Sequence, residues 1–86
     1  MNQRQLTKPI RFALERELGV SKTAISHFSR LARPFEKKYK MPTSEFVVRF
    51  EQGKMGDSKE IFDWVILADF KKEWEDVNKE IRTFVK

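Results

Sequence analysis

The fold predicted for this sequence depends above all on residues 54–74, KMGDSKEIFDWVILADFKKEW. Gly56 is suited to the end of a helix. Asp57 or Ser58 is then a good N-cap for the next helix, because its side-chain oxygen accepts an orphan backbone N–H group. Glu60 occupies the capping-box position three residues after Asp57. The apolar pattern that follows predicts a long last helix over residues 58–85, about 42 Å at 1.5 Å per residue.

Working outward toward the N-terminus, the sequence predicts three shorter helices, and so a single all-α domain, residues 1–86, of about four helices. The first helix is expected to begin near Thr7 and to end before Gly19. Ser21 is expected to cap a second helix, because its hydroxyl can accept a backbone N–H group. The apolar spacing of that second helix crosses Pro34 without losing phase, which indicates a kink there and not a break.

A short third helix is predicted where Pro42 interrupts the helical pattern. Thr43 or Ser44 is suited to cap this helix, and Gly53 is suited to end it. Its apolar residues share one face and are expected to point inward: Phe46, Val47 and Phe50.

The last helix carries an apolar seam that is long for a chain of 86 residues. The large residues of the seam alternate spacings of three and four, the a/d pattern of a helix that packs on another helix: Leu67, Phe70, Trp74, Val77, Ile81 and Phe84. A compact domain of this size has a radius of gyration of about 12 Å, so a straight helix of about 42 Å is expected to overhang it. We therefore expect residues 70–84 to meet a partner protein or a second copy of the chain. The alternative is that the first two helices cover the seam.

Charge divides the sequence into two unlike halves. Residues 1–40 hold ten Lys and Arg against three acidic residues, whereas residues 41–86 hold eight basic and ten acidic residues. The first half is therefore suited to bind a polyanion, and the second half, which is richer in aromatic residues, is suited to bind a protein. The alternative is that the basic residues only solvate a helix surface.

The basic half contains a stretch, RFALERELGVSKTAISHFSR at residues 11–30, that resembles a DNA-binding helix-turn-helix. In that arrangement Gly19 forms the turn, and Ile25 and Phe28 hold the second helix in place. The residues expected to face base edges and phosphates in a major groove are polar or basic: Ser21, Lys22, Thr23, Ser26, His27 and Arg30. A chain of this length has to dimerise to read a palindromic DNA site.

The second half resembles a group of small prokaryotic and archaeal proteins, the antitoxins of type II toxin–antitoxin pairs. The resemblance lies in the pattern F-E-x-K-Y-G-M-x-x-x-E-F, a spaced Phe, G-x-x-G-D and F-x-W, and it covers roughly residues 31–76. The matching positions are Phe35, Glu36, Lys38, Tyr39, Met41, Glu45, Phe46, Phe50, Gly53, Gly56, Asp57, Phe62 and Trp64. Lys40 stands where the family has glycine, and Pro42 follows Met41.

The resemblance implies a protein that neutralises a toxic partner with its helices and often represses its own operon through an N-terminal DNA-binding part. By this analogy the residues that contact the toxin are Trp64, Phe70, Trp74, Val77, Ile81 and Phe84. The protein is then expected to form a homodimer or a hetero-oligomer. The alternatives are a stand-alone homodimeric helix-turn-helix regulator of transcription, and a phage or archaeal virus protein whose long helix builds an oligomer.

Other classes of function find little support in the sequence. The chain has no cysteine and one histidine, so we expect no metal site, no His-based triad and no cofactor. Its acidic residues are spaced like a solvated helix face, which argues against an enzyme. No apolar run approaches the roughly 20 residues of a membrane span, and the start of the sequence lacks the apolar run of a signal peptide. A cytoplasmic protein without membrane contact is therefore expected.

Overall fold

The computed structural model describes residues 6–85, and over that range the chain is all-helical, with three helices. Helix α1 spans Lys8–Tyr39, α2 spans Thr43–Glu51 and α3 spans Lys59–Arg82. The molecule is elongated, with principal extents of 49 × 23 × 18 Å. Its radius of gyration is 16.7 Å, against about 12 Å for a compact domain of this length. The 32-residue α1 sets the long dimension.

The prediction of four helices is wrong, because the first two predicted helices form one continuous helix. Gly19 lies inside α1 and does not adopt a positive φ. Ser21, expected as an N-cap, instead donates its hydroxyl to the Leu18 carbonyl at 2.7 Å. A glycine inside a helix costs about 1 kcal/mol relative to alanine. The packing of α1 against α3 along this segment outweighs that cost.

The predicted starts of the two long helices are confirmed. Thr7 caps α1 and Ser58 caps α3, and each side-chain oxygen accepts the backbone N–H three residues further on, at 3.4 and 3.3 Å. Helix α1 also continues through Pro34, as the unbroken phase of its apolar residues predicts. Helix α3 ends at Arg82, which is short of the predicted Val85.

Thr43 is the first residue of α2 and not its N-cap, a position that Pro42 takes without a side-chain hydrogen bond. The Thr43 hydroxyl instead donates to Glu36 Oε2 at 2.8 Å and accepts the Trp64 Nε1–H at 3.0 Å. One buried hydroxyl therefore links all three helices, and its hydrogen bonds satisfy the indole N–H of a buried tryptophan.

The core lies where α2 closes on the two long helices. Phe46 and Trp64 are fully buried and stack with their ring centroids 3.7 Å apart. Phe35 and Tyr39 of α1 stack on the same indole at 5.7 and 5.5 Å. Burial of each large side chain stabilises the fold by about 2 kcal/mol. The fully enclosed apolar cluster is small and consists of Ala32, Phe46, Ile61 and Trp64.

Helices α1 and α3 form an antiparallel pair along the length of α3. Three contacts mark the register from one end to the other: Tyr39 with Glu60, Phe28 with Phe70, and Ser21 with Asn78. The predicted overhang of the last helix is therefore wrong, because the continuous α1 is long enough to cover one side of it. In this register residues 8–16 of α1 extend past the end of α3 instead.

Candidate functional site

Helix α3 presents a line of large apolar side chains beside its buried face. The line continues two residues past the end of α3 to Phe84, and its members recur at helical spacing and form what we call the outer strip: Phe62, Ile66, Phe70, Val77 and Phe84. Their exposed fractions are 46, 50, 45, 39 and 56%. Single exposed apolar residues are ordinary on a protein surface, whereas a line of them along a helix is typical of a surface that another helix or a groove covers.

The structure divides the six residues predicted to contact a toxin. Three of them lie on the outer strip: Phe70, Val77 and Phe84. Trp74 is half-buried. Trp64 and Ile81 are only 0 and 8% exposed, because the chain's own helices enclose them. These two residues therefore hold the fold together and are not accessible to a partner, which corrects the expectation for them.

Phe62 and Ile66 belong to the outer strip but are not among the contacts that the sequence predicts. They lie four residues apart, and Ile66 lies four residues before Phe70, which places all three on one line of the helix. The signal is present in the sequence. This signal is easily missed, because Trp64 and Leu67 lie in the same stretch and have the helical spacing expected of buried residues.

Helix α1 contributes a matching line of residues, three of them exposed and Ala24 half-buried, which we call the α1 strip: Val20, Ala24, His27 and Leu31. Val20 and Leu31 are 42 and 43% exposed. A shallow hollow of about 690 Å³ lies over this part of the helix and is lined by Val20, Ala24 and His27 among others. The α1 strip therefore offers an apolar depression beside the outer strip of α3.

The two strips meet where an aromatic pair crosses between the helices. The rings of Phe28 and Phe70 stack at 5.5 Å, and His27 contacts the edge of the Phe28 ring at 5.3 Å. Phe70 is still 45% exposed after this contact. One apolar surface therefore runs across both helices with the Phe28–Phe70 pair near its middle.

The helix-turn-helix prediction is wrong, because no turn interrupts residues 11–30. Ser21, predicted to face DNA, is fully buried and accepts the Asn78 Nδ2–H at 2.9 Å. The other five predicted DNA-facing residues are exposed on α1: Lys22, Thr23, Ser26, His27 and Arg30. They lie along an uninterrupted helix, so any contact with nucleic acid differs in geometry from that of a separate recognition helix.

The side of α1 that points away from α3 is basic. Six exposed cations recur along about 44 Å of this side, which we call the basic face: Lys8, Arg16, Lys22, Arg30, Arg33 and Lys37. Among the residues that the structure describes, none of the six forms a salt bridge. The basic face is therefore free to meet an external anion.

Glu60 joins the end of α1 to the start of α3. Its carboxylate accepts hydrogen bonds from Lys38 Nζ at 2.9 Å and from the Tyr39 hydroxyl at 2.7 Å. These two hydrogen bonds, the one from Lys38 first, lower the pKa of Glu60, and the bonds to Glu60 raise the pKa of Lys38 and of Tyr39. Lys38 and Tyr39 belong to the antitoxin-like pattern, and here they fasten the closed end of the hairpin.

Two kinds of site are absent from the part of the chain that the structure describes. No group of three or more His, Asp or Glu side chains is placed to hold a metal ion within residues 6–85. No helix in that range combines the length and the apolar character needed to cross a membrane.

Comparison with known proteins found no match to a family model, to a curated protein or to a solved structure. The fold itself defines the class, a three-helix protein built on a long antiparallel hairpin with a small core at its closed end. Its function has to be argued from the surfaces described above.

Proposed function

We propose that this chain is an antitoxin-like binding protein that neutralises a toxic partner protein by seating it on the outer strip of α3. The observation that carries the proposal is the exposure of five large apolar side chains in one line, four on α3 and one two residues beyond its end: Phe62, Ile66, Phe70, Val77 and Phe84. Removing apolar surface from water contributes about 25 cal/mol per Å² before the entropic cost of association is subtracted. A partner that covers this line therefore gains binding free energy from it.

The residues of the strip indicate what kind of partner fits. Three of the five are phenylalanines, and aromatic side chains are favoured at the centres of interfaces. Glu73 and Glu80 are exposed and fall into the same line, between Phe70 and Val77 and between Val77 and Phe84. The complementary surface is an apolar groove with basic residues at its rim, in the manner of a helix that lies in a groove.

The backbone gives a physical meaning to the glycines of the antitoxin-like pattern. Gly53 and Gly56 have φ values of 73 and 78°, and Lys40, where the family has glycine, has a φ of 56°. Left-handed backbone favours glycine, because any Cβ is strained there. All three pattern positions thus have the conformation that a glycine suits, which supports the resemblance from which a toxin is inferred as the partner.

The proposal is tested by rescue from growth arrest caused by the product of the adjacent gene. A Val77→Glu, Phe84→Glu variant places charge on the strip at two exposed positions, where the fold tolerates it. We expect rescue to be lost and binding to weaken at least about 100-fold, which corresponds to about 2.8 kcal/mol. Val48→Glu is the matched control, since Val48 is 52% exposed on α2 and lies off the strip.

Circular dichroism first establishes that both variants keep the helical content of the parent chain. A folded strip variant that still rescues growth overturns the proposal. Equal loss of rescue in the Val48→Glu control also contradicts it, because the effect would then not depend on the strip.

The basic face of α1 favours a second function, the binding of nucleic acid through its phosphates. Six phosphate contacts give a salt slope near −5 by counterion release. Lys22→Glu with Arg30→Glu is expected to weaken binding to duplex DNA and to reduce that slope, whereas Lys54→Glu, outside the long helices, is the control. Binding that hardly responds to salt contradicts this function. Such binding replaces the helix-turn-helix mode with contact along one continuous helix.

A further inference from the structure

We propose that, in the absence of a toxin, a second copy of this chain covers the outer strip and the α1 strip, so that two hairpins form an antiparallel four-helix bundle. The inference rests on the proposed function in treating the outer strip as a binding surface, and it adds a regulation of that surface. The homodimer hides Phe70, Val77 and Phe84, and a toxin has to displace one copy to reach them.

The two strips lie on the same side of the hairpin, opposite α2. On α3, Ala68 and Lys72 line the cleft shared with α2, and Phe70, two residues from each, lies about 200° around the helix. On α1, Glu36 accepts from the first residue of α2, and the α1 strip lies about 120–180° around from Glu36. Helix α2 therefore covers one side of the hairpin and leaves the other side open.

The open side is large enough for a stable dimer. The 24 residues of α3 span about 36 Å, and two packed helices with their axes 8–10 Å apart are about 20 Å wide. The face is then about 700 Å², close to the roughly 800 Å² that each partner buries in a standard interface. The size of this face fits more than one kind of partner, so the choice among partners rests on the charges of the two helices.

Charge favours a second copy in one particular arrangement. Helix α1 holds eight Lys and Arg against three acidic residues, whereas α3 holds five against seven. A two-fold axis parallel to the helices sets α1 of one copy against α3 of the other, whereas a perpendicular axis sets α1 against α1. The first arrangement pairs unlike charges and makes every neighbouring pair of helices antiparallel, as in an up-and-down bundle.

Individual residues carry this complementarity within the face itself. Arg30 lines the hollow over the α1 strip together with Val20 and His27, and Arg16 lies one helical turn before Val20, so both arginines border the strip at the edge of the basic face. Glu73 and Glu80 fall into the line of the outer strip. All four are exposed. Charged residues therefore accompany the apolar residues on both helices, and the sign of the charge is opposite on the two helices.

The experiment is sedimentation equilibrium of the full chain over about 1 to 100 µM, the range in which interfaces of modest affinity dissociate. We expect a mass twice the 10.3 kDa of the single chain at the upper end. Arg16→Glu with Arg30→Glu, and separately Glu73→Arg with Glu80→Arg, are each expected to halve that mass. An equimolar mixture of the two variants is expected to restore it, because the reversed charges then match. Glu51→Arg with Asp57→Arg, off the face, is the control.

A parent chain that stays monomeric at every concentration overturns the inference, and so does a mixture that fails to restore the dimer when both variants have normal helical circular dichroism. The rescue assay separates this failure from failure of the proposed function. A monomer whose Val77→Glu, Phe84→Glu variant loses rescue refutes the dimer and keeps the antitoxin-like function. A dimer whose strip variant still rescues growth refutes that function and keeps the dimer.

Discussion

Replacing Gly19 with alanine tests the feature on which the fold depends, the continuity of α1. Gly19 lies in the interior of this helix, and a Cβ added there meets no atom within 4 Å. Alanine is favoured over glycine inside a helix by about 0.8–1.0 kcal/mol, chiefly because glycine loses more backbone entropy. The expected result is therefore stabilisation by about 1 kcal/mol.

Gly53 and Gly56 provide matched controls for this substitution. A Cβ at either position also meets no atom within 4 Å, so steric contacts do not distinguish the three sites. The controls differ in their backbone, with φ values of 73 and 78°. Left-handed backbone costs a residue with a Cβ about 1–2 kcal/mol. The same change is expected to stabilise the protein at Gly19 and to destabilise it at Gly53 and Gly56.

The assay is thermal unfolding followed by far-UV circular dichroism, at one fixed protein concentration because self-association shifts Tm. A change of 1 kcal/mol shifts Tm by about 4–8 °C in a domain of this size, so the opposite signs are easily resolved. A lower Tm for Gly19→Ala refutes the continuous helix, since it means that residue 19 occupies a turn. That result would instead support the helix-turn-helix interpretation of residues 11–30.

Three further changes test the ends and the middle of the hairpin. Lys40→Gly is expected to raise Tm through about 1 kcal/mol of stabilisation, because Lys40 has a φ of 56°, and a fall in Tm contradicts this. The lowered pKa of Glu60 means that its carboxylate stabilises the fold above the pKa of the group in the unfolded chain, and that this stabilisation is lost as the pH falls through the folded pKa. Urea unfolding between pH 6 and pH 3 is therefore expected to show a smaller loss of stability for Glu60→Gln than for the parent chain. An identical loss in both proteins would mean that the Glu60 carboxylate does not stabilise the fold. Ser21→Ala is expected to lower the free energy of unfolding by about 1–3 kcal/mol, because it leaves the buried Asn78 amide without its acceptor. Adding Asn78→Leu is expected to recover part of that loss, whereas additive effects of the two substitutions would mean that the two residues are not coupled.

The elements that the sequence predicts well are those set by neighbouring residues. Thr7 and Ser58 act as caps because an N-cap needs only a side-chain oxygen and the free N–H groups of the next turn. Gly53 likewise takes the left-handed conformation that follows a helix end. The capping of α2 is less well predicted, since Thr43 is used by Glu36 and Trp64, which lie far away in the sequence.

The division of α1 at Gly19 is wrong for a reason that local sequence does not reveal. A glycine followed by a serine predicts a helix end and a new cap, and each signal involves only about 1 kcal/mol. The outcome depends on Asn78, which lies 57 residues away and occupies the Ser21 hydroxyl. Packing against α3 then stabilises the helical conformation of α1 across Gly19.

The distal half of α3 shows why the candidate site was only partly predictable. Between residues 68 and 84 the buried positions include Ala68 and Asn78 as well as Ile81, while Phe70 and Phe84, which are large and apolar, are exposed. Burying Phe70 and Phe84 as well would stabilise the fold further, because burying each such side chain is worth about 2 kcal/mol. The hydrogen bond between Asn78 and Ser21 favours the rotation of α3 that leaves these two side chains exposed. An unpaired Asn78 amide in that buried position would cost a free energy similar to the gain from burying one of them. The chain therefore leaves part of its apolar surface along α3 uncovered, and this is the surface that the proposed partner or second copy would cover.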